Sequence, residues 1–149
     1  MNIMITCLVA SATIAATAVG AEKNAASDDK ALNGMWSPTE AVLGGAPLPP
    51  PALKKITLRI DGAKYEVKVE GESEPDQGSS ALNTNVSPKT MTITSTNGPN
   101  RGKTFPAIYE LKDDTLRVCY DLSGQKHPAD FKSIKGTQLY LVTYKRKEK

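Results

Sequence analysis

With 149 residues, the chain has room for one domain with its own core. Its net charge of +3, from 19 Lys and Arg against 16 Asp and Glu, does not mark a dedicated polyanion binder. The one basic run, Lys145-Arg146-Lys147-Glu148-Lys149, holds no aromatic ring to stack on bases and reads as a solvated end, while the single histidine, His127, rules out a His-rich metal site.

The first element in chain order is an expected export signal over residues 1–21. It carries no charged side chain, is dominated by Ile, Leu, Val, Ala and Thr, and closes on Val19-Gly20-Ala21, which offers the small residue that signal peptidase requires. Its strongly apolar part is shorter than the ~20 residues that cross a bilayer, so no stable membrane insertion is expected after cleavage. Cys7 has Met4-Ile5-Thr6 before it, with no small residue beside the cysteine, which disfavours lipidation. The expectation is therefore an exported protein, periplasmic or extracellular, in which Cys119 is left as the sole thiol and no intramolecular disulfide can form. Residues 22–31 are polar and Ala-rich and read as a flexible linker; residues 32–147 read as the folded domain.

From there the chain reads as strands and turns. Strands are predicted near 34–42, 56–60, 64–70, 78–83, 89–96, 103–111, 115–121 and 138–145. The run Pro47 to Pro51 leads into a short helical turn near 51–55, Pro being well tolerated at helix starts. The clearest segment is Ile56 to Val69, where Ile56, Leu58 and Ile60 alternate with polar residues and Tyr65, Val67 and Val69 resume the alternation after Asp61-Gly62. Placing a two-residue turn at Asp61-Gly62 pairs Leu58 with Tyr65 and Ile56 with Val67 on one apolar face. In the next such hairpin the turn is Lys112-Asp113 or Asp113-Asp114. Either choice joins the face of Phe105, Ala107, Tyr109 and Leu111 to that of Leu116, Val118 and Tyr120. About eight strands with no helix-length periodic segment predict an all-β, antiparallel up-and-down barrel. Such a barrel is either filled by side chains or holds one small ligand.

Several pieces of the chain also match a known pattern. Leu32-Asn33-Gly34-Met35-Trp36 is similar to the G-x-W signature of lipocalins. It is followed in order by Gly45-Ala46-Pro47-Leu48-Pro49, Gly98 to Thr104, Ile108-Tyr109-Glu110-Leu111, Asp114 to Cys119 and Pro128-Ala129-Asp130-Phe131. Over most of residues 31–147 the chain resembles a lipocalin-like domain family of unknown function, found chiefly in planctomycete-type bacteria. The chain has His127 where members commonly have Arg, so an anion contact through that Arg is not carried over, and Asp113 where they commonly have Gly. The resemblance implies a lipocalin-like barrel and no established activity. In such barrels the Trp, here Trp36, sits at the closed end, with a basic residue of the last strand, Lys145 or Arg146, covering its face.

No enzyme constellation stands out. Gly98-Pro99-Asn100-Arg101-Gly102-Lys103-Thr104 is one residue short of a nucleotide-binding P-loop, and a strand pattern follows where a helix N-terminus is needed. Cys119, Asp121, His127 and Asp130 fit no zinc spacing. Cys119 reads as a half-buried packing residue, and Ser79-Ser80 lacks the nucleophile elbow. Glu66, Glu70, Glu72 and Glu74 read as a solvated acidic rim. The expectation is a non-enzymatic domain without metal or cofactor. Leu58, Tyr65, Tyr109 and Tyr120 share the predicted interior face, where tyrosyl hydroxyls would orient a small, mostly apolar ligand. The alternative is a protein-interaction or inhibitory module at the cell envelope with a filled barrel. A cavity of roughly 300 Å³ or more would favour the ligand.

Overall fold

The computed structural model describes residues 27–147. Residues 27–32 form a short helix, α1. Nine strands and a second helix follow: β1 (Gly34–Leu43), β2 (Ala46–Pro47), α2 (Pro50–Leu53), β3 (Ile56–Asp61), β4 (Lys64–Val69), β5 (Asp76–Asn83), β6 (Lys89–Asn97), β7 (Thr104–Lys112), β8 (Thr115–Asp121) and β9 (Leu139–Arg146). From β3 to β9 each strand pairs antiparallel with the next, and β1 pairs with both β3 and β9. This closes an eight-stranded up-and-down barrel, with β2 appended to the end of β1. Closure removes the free sheet edges that would otherwise invite further strand pairing.

The period-two pattern sets the faces, and the turns set the registers. In the β3–β4 hairpin Asp61 pairs with Lys64, Ile60 with Tyr65, Leu58 with Val67 and Ile56 with Val69. The two-residue turn is thus Gly62-Ala63 rather than Asp61-Gly62. Gly62, at φ 60°, takes the first central position, where a type II′ turn needs a positive φ, and its N–H donates to Asn33 Oδ1 at 2.6 Å. The cross-strand partners therefore differ from those expected by two residues. An even shift leaves every side chain on its original face, so Leu58 and Tyr65 still point inward. In the β7–β8 hairpin Lys112 pairs with Thr115, which fixes the turn as Asp113-Asp114. Residues β5 and β6 meet at a bulge between Gln77 and Gly78, where the strands approach so closely that a Cβ on Gly78 would lie 2.0 Å from the Thr94 carbonyl oxygen.

The two ends of the barrel differ. At one end α1 lies with the β3–β4, β5–β6 and β7–β8 turns, and the side chains there are tightly buried: Trp36, Leu116 and Val142 are 0% exposed, and Tyr109 and Val118 1%. Trp36 Nε1–H donates to the Leu32 carbonyl at 2.9 Å, and the Arg146 guanidinium lies 4.2 Å from the Trp36 ring centroid. Arg146 also donates to the carbonyls of Asn33 and Ala31 (2.5 and 2.7 Å) and from Nε to Asp114 Oδ1 (3.0 Å), so one side chain ties α1, β1 and the β7–β8 turn together. Lys145 points elsewhere, donating to Thr115 Oγ1. The linker expectation for 22–31 needs correction over its described part. Residues 27–32 are helical because Leu32 finds a buried seat over Trp36 and Asp28 accepts hydrogen bonds from Tyr109 and Lys89 (2.6 and 2.8 Å). The expected signal over 1–21 lies outside the described residues.

Outside the barrel wall, the connection 122–138 covers the outward residues of β7 and β8. Ile108 and Cys119, register partners whose side chains point away from the interior, are 1% and 0% exposed. Pro128 is buried, Phe131 takes the Arg117 guanidinium over its ring at 4.2 Å, and the Cys119 thiol donates to the Lys132 carbonyl. Cys119 is thus fully rather than half buried, because a loop and not solvent meets the outer face. Among the described residues no helix is long and apolar enough to cross a membrane.

Candidate functional site

The end opposite α1 is hollow. A cavity of about 250 Å³ is walled by Ile56 and Leu58 of β3, Tyr65, Val67 and Val69 of β4, Ile93 of β6 and Phe105 of β7. Tyr120 of β8, Leu122, and Tyr140 and Tyr144 of β9 complete the wall, with Asp76 of β5 and Asn100 of the β6–β7 loop. The alternation that fills the closed end lines this one too, but here the side chains do not meet across the barrel. Ile56, Val67, Val69, Tyr120, Leu122 and Tyr140 face inward and are only half-buried. Apolar surface left open to water inside a barrel is the usual signature of a site that something else covers.

Three of the four residues predicted from sequence, Leu58, Tyr65 and Tyr120, line this cavity. Tyr109 does not. Its ring faces inward at the closed end and its hydroxyl donates to Asp28 Oδ2, an acceptor supplied by a helix that the residue pattern had not shown. Tyr140 and Tyr144 take its place. Their signal was present in the Tyr140-Val142-Tyr144 alternation of the last strand, which puts both rings on the face of Val142.

The tyrosines form one group. Tyr120 and Tyr140 stack with centroids 5.9 Å apart, and the Tyr120 and Tyr144 hydroxyls are 3.4 Å apart. Burial raises all four hydroxyls: Tyr65 is pushed up to about 12, and Tyr120, Tyr140 and Tyr144 also titrate above the ordinary tyrosine value. At neutral pH they are uncharged donors and acceptors.

Polar character concentrates at Asp76. Its Oδ1 accepts from the buried Ser95 hydroxyl at 2.5 Å. Its Oδ2 accepts from Asn100 Nδ2 at 3.2 Å and from Tyr65 OH at 3.5 Å. Ser95, 1% exposed, has one proton to give, and the short contact to Asp76 takes it in preference to the Gln77 and Asn97 carbonyls at 3.4 and 3.3 Å.

The other residues weighed for chemistry are dispersed. The segment Gly98 to Lys103 is a hairpin loop stitched by Gly102 N–H to the Ser95 carbonyl and Ser95 N–H to the Lys103 carbonyl, and it runs into strand β7 rather than a helix. Asp121 folds the start of the β8–β9 connection. Burial would raise its carboxyl, but hydrogen bonds from the Ser123 hydroxyl and from the backbone N–H groups of Lys126, Ser123 and Gln125 outweigh that and hold it below the usual range. His127 is exposed, with Nε2 3.4 Å from Thr92 Oγ1. Among the described residues no group of three or more His, Cys, Asp or Glu could hold a metal ion. No family model, curated protein or solved structure matches the chain.

Proposed function

We propose that this protein is a non-enzymatic carrier or sensor that holds a small, mostly apolar ligand in the hollow end of its barrel. The observation that carries this reading is the cavity of about 250 Å³, walled by half-buried apolar side chains and tyrosines in a barrel whose other end is packed solid. The volume falls short of the roughly 300 Å³ expected from sequence to favour a ligand, but this end is not filled by side chains either, so the ligand is small. A cavity of about 150 Å³ accommodates benzene, and by that scale this one suits roughly ten non-hydrogen atoms. Export, supported by the composition of residues 1–21, would place binding in the periplasm or outside the cell. Native mass spectrometry of protein purified from its own host tests the proposal: a co-purifying small molecule is expected, and Val67→Trp, which fills the cavity, should abolish its retention. A stoichiometric protein partner without a small molecule, or retention unchanged in Val67→Trp, would overturn it in favour of an interaction module.

A further inference from the structure

Resting on that reading of the cavity, we infer that its ligand is a small organic cation, a primary amine on an apolar or aromatic body, with Asp76 as the counter-ion. Asp76 is the one charged side chain among the thirteen residues that line the cavity. None of the ion pairs among the described residues involves it. Its neighbours are neutral donors, Ser95, Asn100 and Tyr65. Asp76 is half-buried, and a carboxylate drawn partly out of water gains from a cation or from a full set of hydrogen bonds. Here the set is uneven. Oδ1 is engaged at 2.5 Å, whereas Oδ2 has one ordinary contact, from Asn100 at 3.2 Å, and one long contact, from Tyr65 at 3.5 Å, and a carboxylate offers about four lone-pair directions. Oδ2 is also the oxygen reached by Asn100 and Tyr65, two residues of the cavity wall, so it sits at the polar edge of the cavity.

The rest of the wall suits an ammonium group better than an acid or a plain alcohol. Phe105, Tyr65, Tyr120, Tyr140 and Tyr144 bring aromatic rings, whose faces attract cations, and the tyrosine hydroxyls, raised by burial, stay neutral. Among the described residues no Lys, Arg or His lines the cavity to repel a cation or to hold a carboxylate ligand. The loop that leads into Asp76 carries Glu70, Glu72 and Glu74, with Lys54 and Lys55 across the adjoining outer groove. That outer groove is mixed in charge and offers no preference between a cation and an anion.

The test compares three probes of matched shape, phenethylamine, 2-phenylethanol and phenylacetate, by titration calorimetry on the full chain. The amine is expected to bind at least about tenfold more tightly than the alcohol, as one charge-assisted hydrogen bond in place of a neutral one allows. Phenylacetate should bind most weakly. In Asp76→Asn, which keeps an oxygen acceptor for Ser95, the amine's advantage should vanish while the alcohol still binds. Alcohol binding as tight as amine binding in the wild-type protein would overturn the amine inference and leave the apolar cavity standing. Failure of every probe to bind would overturn both. The wild-type comparison decides even if Asp76→Asn folds poorly.

Discussion

Replacing Trp36 by Ala tests whether the closed end holds the barrel together. The ring is 0% exposed, and a buried Trp removes roughly 200 Å² from water, or about 5 kcal/mol at ~25 cal/mol/Å², within the range of about 3 to 5 kcal/mol seen when large core aromatics become Ala. Two specific contacts add to this. Loss of the Nε1–H bond leaves the Leu32 carbonyl without that donor, at about 1 kcal/mol, and loss of the ring face under Arg146 removes about 0.5 to 1 kcal/mol. The expected destabilisation is about 4.5 to 7 kcal/mol, a large share of the ~5 to 15 kcal/mol available to a typical domain. Because Trp36 is the only Trp, unfolding in urea is followed by far-UV circular dichroism rather than fluorescence. If Trp36→Ala does not fold, Trp36→Phe isolates the lost N–H and part of the ring area, with an expected cost of about 1 to 2 kcal/mol. A loss below about 2 kcal/mol for Trp36→Ala would refute the view that this end is the packed anchor of the fold.

The docking of α1 is tested by Tyr109→Phe, which removes a hydrogen bond to a carboxylate and should cost about 1.5 to 3 kcal/mol; a double-mutant cycle with Asp28→Asn should show coupling, and additive losses would mean that the helix does not lean on this contact. Alkaline pH is expected to unfold the protein cooperatively, because burial raises every one of its five tyrosines. The folded state disfavours tyrosinate, so this stability is intact below pH 10, where the unfolded chain's tyrosines remain protonated. It declines as pH rises from about 10 toward and beyond the Tyr65 value of about 12. Tyrosinate absorbance should therefore appear together with loss of β-sheet circular dichroism. Free titration of one or more tyrosines near pH 10 in the folded protein would contradict the buried cluster.

Much of the barrel was legible because alternation is a local property. Ile56 to Val69, Phe105 to Leu111 and Leu116 to Tyr120 each announce an inward face within a few residues, and an error of two in the β3–β4 register could not move a side chain from one face to the other. Cys119 was harder. Its strand face was readable, but its complete burial depends on a connection that returns over the outer wall from residues 122–138, and nothing in β8 itself encodes that cover. The same applies to residues 27–32, whose polar composition describes a helix only once Leu32, Asp28 and Asp114 are placed around Trp36, Tyr109 and Arg146.

What the amino-acid sequence determined alone was the fold class and the list of inward side chains, since a strand's two-residue period sorts its residues by face before any tertiary contact exists. It could not determine which inward side chains meet and which leave a gap. That depends on how the strands stagger around the barrel and on which end a helix closes, so Tyr109 became a clasp for α1 while Tyr65, Tyr120, Tyr140 and Tyr144 came to wall a cavity beside Asp76. Distance across a closed sheet is set by residues far apart in the chain, and only the tertiary structure brings them to one place.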